Sequence, residues 1–242
     1  QRRLEQIAEF LKQHPKQSGI IYCLSRKGCE DISSKLNARG FRTAFYHAEV
    51  PAGQRSKVQE DFINDRVPII CATIAFGMGI DKSNVRFVIH YNLPRNLEGY
   101  YQEIGRAGRD GLPSAALLFF SYSDVQTYRQ MFDEGDGSPE QKQLKIAKLE
   151  RMYQFAEAPV CRRQTVLNYF GEPHEGNCGN CDVCQHPPRK FDGTITAQKA
   201  LSAILRVQEN VGMQLLVDIL RGSQRREIVE QGYHQIKTWG AG

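Results

Sequence analysis

Residues 102–111 read Gln102-Glu103-Ile104-Gly105-Arg106-Ala107-Gly108-Arg109-Asp110-Gly111, two arginines three apart among small residues. On a helical turn they share one face, and Gly105, Ala107 and Gly108 let a bulky anion approach. Guanidinium forks grip phosphate oxygens in pairs and stay charged at every accessible pH, so the chemistry indicated is phosphate handling. The plainer alternative is a solvated basic helix end stopped by Gly111. Two further segments follow apolar runs: Tyr22-Cys23-Leu24-Ser25-Arg26, and Ala72-Thr73-Ile74-Ala75-Phe76-Gly77-Met78-Gly79-Ile80-Asp81. The hydroxyls of Ser25 and Thr73, and the peptide N–H groups of a following helix, suit phosphate oxygens. Gly77-Met78-Gly79 lacks the spacing of a dinucleotide fingerprint. Asp81 suits ribose hydroxyls or, equally, a turn or helix cap.

A second chemistry lies downstream. Cys178, Cys181 and Cys184 stand at three-residue intervals, with Cys161 17 residues before the first of them. Four thiolates close a tetrahedral structural zinc site with no open position for catalysis. His174 or His186 could replace Cys161 as the fourth ligand. A ferredoxin-type iron–sulfur run requires cysteine at position 188, which is Pro188. A redox pair lacks a thioredoxin-like setting. Cys23, Cys29 and Cys71 lie among apolar residues and read as reduced core thiols.

The elements that must position these groups follow from periodicity. Strands are expected at Gly19–Leu24, Arg42–Tyr46, Pro68–Ala72, Val85–His90 and Ala115–Ser121. Between them, Ile32 with Leu36, Val58 with Phe62, and Leu97 with Tyr101 mark helices. That alternation predicts an α/β fold with an open parallel sheet, whose strand ends gather ligands. Beyond Ser121 only helices are expected: Asp124–Phe132, Pro139–Ala156, Arg162–Phe170, Thr196–Asn210, Met213–Leu220 and Ser223–Gln231, with Tyr233–Trp239 beginning a strand. The last three helices are compatible with a helix-turn-helix or winged-helix module. There Ser223, Arg225 and Arg226 would face duplex phosphates, or simply form a solvated face. The divisions are 1–122, 123–190 and 191–242.

The chain has 242 residues, 40% hydrophobic and 24% charged, with a net charge of +5. The excess is thin, 22 Lys/Arg against 19 Asp/Glu in residues 1–160 and 10 against 8 thereafter, so bulk charge does not select nucleic acid as a partner. No apolar run approaches the roughly 20 residues of a membrane span. The polar start from Gln1 to Lys12 is unlike a secretory signal, so an intracellular site is expected.

Taken together, Ser25-Arg26, Ala72-Thr73 with Phe76-Gly77-Met78-Gly79-Ile80-Asp81, and Gln102 with Gly105 to Gly111 resemble motifs IV, V and VI of superfamily 2 helicases. Phe76 to Ile80, together with Cys161-Arg162-Arg163 and the cysteine triplet, is similar to the RecQ family in particular. The resemblance implies a second RecA-like motor domain, a zinc-binding subdomain and a partial winged helix from a 3′-to-5′ ATP-dependent DNA helicase of recombination and repair. It casts Arg109 as an arginine finger with Arg106 beside it, Gln102 as a link between nucleotide and DNA states, and Gly79 and Asp81 as ribose neighbours. Ser25, Arg26, His47 and Thr73 would line a single-strand track, although His47 reads equally as a polar strand-end residue. No P-loop and no acidic box occurs in the chain, so ATP and Mg²⁺ would be shared with a first RecA-like domain, and the chain alone is expected to hydrolyse nothing. Alternatives are a non-catalytic zinc-stabilised DNA-binding module or an RNA helicase. The expected location is the bacterial cytoplasm at the nucleoid, or the nucleus of a eukaryote.

Overall fold

The computed structural model describes residues 2–76, 80–189 and 191–242. The chain divides into two compact units, residues 1–187 and 188–242.

The first unit opens with helix α1 (Arg2–Gln13), in which Leu4, Ile7, Ala8 and Leu11 form one buried stripe. Then come β1 (Ser18–Tyr22), α2 (Arg26–Asn37), β2 (Thr43–Tyr46), α3 (Ala52–Ile63), β3 (Ile69–Ala72), β4 (Val85–His90), α4 (Leu97–Ile104) and β5 (Ala115–Leu118). The five strands form one sheet in the order β2-β3-β1-β4-β5, and every pair is parallel. Alternate residues of the central strands face opposite layers. Ile21, Cys71, Phe87 and Ile89 pack with α1 and α2, while Ile20, Tyr22, Ile70 and Val88 pack with Phe62, Phe76 and Ile80. Gly19 is required by this packing, because a Cβ there would lie 2.0 Å from Phe87 Cε2.

Helices α5 (Tyr122–Glu134), α6 (Pro139–Glu157), α7 (Arg162–Tyr169) and α8 (Asp182–Gln185) complete the unit. Ser121 with Asp124 and Ser138 with Gln141 form capping boxes that start α5 and α6. Their buried side chains Val125, Tyr128, Leu149, Met152 and Phe155 share a core with Leu93, Leu97 and Tyr100. The strand expected to reach Ser121 stops at Leu118, because Ser121 is committed to capping.

The second unit contains α9 (Thr194–Arg206), α10 (Met213–Leu220) and α11 (Arg226–Glu230) around Val207, Ile219 and Ile228. Helix α11 starts later than expected, since Ser223 and Arg225 lie in the preceding turn, where Ser223 Oγ accepts from Arg225 N at 3.3 Å. The strand expected over Tyr233–Trp239 is instead a 3₁₀ turn at Tyr233–Gln235 followed by irregular chain. Its tertiary anchor explains the difference: Trp239 packs on the small core and its Nε1 donates to Ser223 O at 3.2 Å. Among the described residues this unit has three helices and no strand.

Candidate functional site

A parallel sheet brings the ends of β1, β3 and β4 to one edge, and the sequence places its chemistry there. After β1, Ser25 caps α2, its Oγ accepting from Gly28 N at 3.1 Å. Arg26 follows and pairs with Glu49. After β3, Thr73 N donates to Tyr46 O at 3.3 Å. Ser25, Arg26 and Thr73 meet on the wall of one cleft of about 820 Å³. The same cleft is lined by Lys27, Arg95 and Tyr128, which sequence reasoning missed because no short motif contains them. His47 does not join them. It is 4% exposed, its Nε2 lies 2.9 Å from Glu30 Oε1, and its ring stacks on Phe45, so it braces the strand end behind the cleft.

The arginine pair is not on a helical turn. Gly105 ends α4, and Gly108 adopts φ +71 where a Cβ would meet Ser114 Oγ at 2.7 Å, so Arg106 and Arg109 project from an irregular loop. Arg109 Nε donates to Gly105 O at 3.2 Å, and its terminal nitrogen donates to Ile80 O at 3.4 Å, beside the exposed Asp81. Gln102 is exposed on the last turn of α4. Gly79 lies outside the described residues. Asp110 pins the loop to the sheet, both carboxylate oxygens accepting from Arg86 at 2.6 Å while Oδ1 also accepts from Leu112 N. The Arg86 guanidinium holds the Asp110 carboxyl below its ordinary value.

Beneath this loop is a buried polar network. Tyr22, the last residue of β1, donates from its hydroxyl to Phe76 O at 3.1 Å and is also hydrogen-bonded to Arg106. Burial pushes the Tyr22 hydroxyl far above its usual range, against the pull of Arg106, and keeps it neutral. His90 stacks on Tyr22 with centroids 5.5 Å apart, and its Nε2 meets Glu103 Oε2 at 2.7 Å. The one available sequence signal for Tyr22 was a polar tip closing an otherwise apolar strand.

The cysteines form a separate centre. Sulfur atoms of Cys161, Cys178, Cys181 and Cys184 all lie within 4.8 Å of one another, and those of Cys178 and Cys184 are 3.9 Å apart. A zinc tetrahedron with Zn–S near 2.3 Å needs sulfur separations of roughly 3.8 Å, so the four thiols fit one zinc ion. Burial raises the Cys161 thiol, but N–H groups of Gln164 and Cys178 outweigh it and bring it down to about 6, favouring the ligating thiolate. The four-cysteine set leaves no ligand role for His174 or His186. Arg162 ties the centre to its surroundings: two of its nitrogens donate to Asp182 at 3.0 Å, and a third donates to Phe155 O and Ala158 O.

In the second unit Arg225 pairs with Asp218, and Arg226, 90% exposed, pairs with Glu230 at 2.6 Å. The two arginines are therefore at the surface, each partly neutralised. No helix among the described residues is long and apolar enough to cross a membrane.

Three family models match successive parts of the chain: Helicase conserved C-terminal domain over residues 2–111, RecQ zinc-binding over 122–185, and RQC domain over 187–242. The zinc-binding match spans all four clustered cysteines. The chain is 45% identical to the ATP-dependent DNA helicase RecQ of Haemophilus influenzae over 239 residues, covering 99% of this chain and 38% of that protein. It is 44% identical to the protein of the same description from Pasteurella multocida, over 99% and 38%. The Bacillus subtilis counterpart is 37% identical over 97% and 39%. The chain thus spans well under half the length of these relatives. With a parallel α/β lobe, a four-cysteine centre fit for structural zinc and a helical unit following in the matched order, the chain belongs to the RecQ family, of which it carries the C-terminal helicase region.

Proposed function

We propose that this chain is the second half of a 3′-to-5′ ATP-dependent DNA helicase core, acting in recombination and repair. The observation that carries the reading is Arg109, set on a loop braced to the start of β4 by Arg86 and Asp110, and bonded to Ile80 beside Asp81. Arg109 serves as the arginine finger for ATP held with Mg²⁺ by a first RecA-like domain, and Arg106 stands beside it on the Tyr22 hydroxyl. Gln102 senses the nucleotide from α4, while Gly79 and Asp81 approach the ribose. Single-stranded DNA occupies the cleft lined by Ser25, Arg26 and Thr73. His47 acts behind it as a brace, through Glu30.

Zinc held by Cys161, Cys178, Cys181 and Cys184 would supply no reaction; it would close the chain between Cys161 and Cys184 around a fixed point. Residues 1–122 form the motor lobe, 123–190 the zinc-binding subdomain and 191–242 the duplex-engaging module, in which Ser223 meets phosphates together with Arg225 and Arg226, the arginines exchanging their acidic partners Asp218 and Glu230. The site of action is wherever the DNA is, the nucleoid of a bacterium or the nucleus of a eukaryote. Joining the chain to a first motor domain carrying a P-loop tests the reading. Arg109→Ala is expected to cut DNA-stimulated ATP turnover about a thousand-fold while strand affinity holds. Unchanged turnover would leave only a zinc-stabilised DNA-binding module.

A further inference from the structure

The cleft beside Ser25 does not end at the sheet. Arg95 and Met131 line it and also line a second concavity of about 340 Å³, walled further by Phe132, Asp136, Lys145 and Lys148. The two hollows are therefore adjoining, and cations follow one another along them: Arg26 and Lys27 in the first, Arg95 shared, Lys145 and Lys148 in the second. Acids are present too, Glu30 and Glu49 in the first and Asp136 in the second. Lys148 is held by Glu98 at 2.6 Å.

Lys145 resembles Lys27 of the first hollow. It is exposed and makes no ion pair among the described residues, so its charge is free for an incoming anion. Apolar and aromatic side chains lie between the cations. The Arg95 guanidinium sits 5.9 Å over the Tyr128 ring, and Met131 and Phe132 carry the apolar surface into the second hollow. A row of cations beside apolar surface across joined hollows matches a polyanion with one charge per unit, which is single-stranded nucleic acid. A small anion would need only one of the hollows.

Resting on the strand-binding reading of the first cleft, we infer that α5 and α6 carry a phosphate-binding extension of the strand track, formed by Arg95, Lys145 and Lys148. The extension lies outside the helicase motifs: Lys145 and Lys148 fall within the segment matched by the zinc-binding family model, and Arg95 within the helicase C-terminal match. It gives α5 and α6 a direct part in holding DNA.

The test compares oligothymidylates of about four and about twelve nucleotides, lengths within the span of single-strand sites, binding to the zinc-loaded 242-residue chain. Lys145→Ala changes an exposed side chain and leaves the fold in place, which a melting curve verifies. The expected result is a several-fold loss of affinity for the longer strand and none for the shorter. The slope of log affinity against log salt for the longer strand should shrink by about 0.7 for Lys145→Ala and by about 1.4 for the Lys145→Ala/Lys148→Ala pair, one released contact each. Arg26→Ala/Lys27→Ala should weaken both lengths. If that variant weakens both while Lys145→Ala weakens neither, the extension is overturned and the cleft reading stands. If Arg26→Ala/Lys27→Ala has no effect on either length, the cleft reading falls and the extension with it.

Discussion

The cysteine centre and the arginine loop lie in one compact unit and are built on opposite plans. The cysteine centre is complete: four sulfurs face one another, and Arg162 fastens the enclosing turns to Asp182 and to the carbonyls of Phe155 and Ala158. The arginine loop is a half. Arg109 rests on two backbone carbonyls of its own lobe, and under the proposed function its partner is a nucleotide held by a P-loop that this sequence does not contain. A complete site should reveal itself through stability and a half site through activity. The remaining cysteines sharpen the point, because Cys71 is fully buried in the sheet, where burial drives its thiol far up, while the four sulfurs of the centre face one another within 4.8 Å.

Removing zinc should produce the largest effect. Structural zinc sites of this kind carry about 10 kcal/mol or more of binding free energy that is also folding free energy. Strong chelation, or Cys178→Ser, is expected to open residues 161–186 to protease while the sheet keeps its hydrogen-exchange protection. The contrast fails if the sheet unfolds with them. Next comes Arg109→Ala in the protein that includes a first motor domain. Its thousand-fold loss of ATP turnover, about 4 kcal/mol of barrier, should come with an unchanged melting temperature, because the side chain's contacts are two long hydrogen bonds at the surface. A large fall in melting temperature would erase the distinction.

Tyr22→Phe is the intermediate case. It removes one buried hydroxyl shared by Phe76 O and Arg106, so about 1 kcal/mol of stability and roughly ten-fold in turnover should be lost together, read by denaturant melts and steady-state kinetics. The smallest effect is with pH. Asp110 has its carboxyl lowered in the folded chain, so its bond to Arg86 stabilises fully above the ordinary value of 3.8 and is lost only as pH falls from there through the folded value. Amide exchange of Leu112, corrected for intrinsic rates, should therefore show constant protection from pH 8 to pH 5. Weakened protection within that window would mean that another group holds the loop.

Much of this was legible because burial writes its period into sequence. Val85–His90 is a strand at the expected limits, flanked by strands on both sides and apolar almost throughout. The cysteine spacing likewise named its own centre, since ligand geometry leaves little freedom at three-residue intervals. Helix α1 was equally available from Leu4, Ile7, Ala8 and Leu11, yet its charged surface face dominated the reading of those residues. The arginine pair reads as helical in sequence, yet Gly108 leaves the helix for a left-handed backbone packed so close to Ser114 that no Cβ fits, a closeness that only tertiary packing imposes. The strand-like Tyr233–Trp239 was taken out of extended conformation by Trp239 turning back onto Ser223, again a long-range contact. Arg95 and Tyr128 were invisible to motif reading for a similar reason, being neighbours across the α4 entry and α5 rather than along the chain.

The strand order carries a consequence for how the chain is made. β1 is the first strand of this sheet to be synthesised and ends up at its middle, yet neither of its neighbours is the next strand in line: β3 lies on one side and β4 on the other. A ribosome releasing the protein from its N-terminus therefore leaves both hydrogen-bonding edges of Ser18–Tyr22 without their final neighbours until β3, and then β4, have emerged. Throughout that interval a strand that ends up wholly buried has two open borders, the condition under which nascent chains pair wrongly with one another. The topology that gathers the three site loops at one edge thus also makes His90, where β4 ends, the point in synthesis at which β1 is finally enclosed.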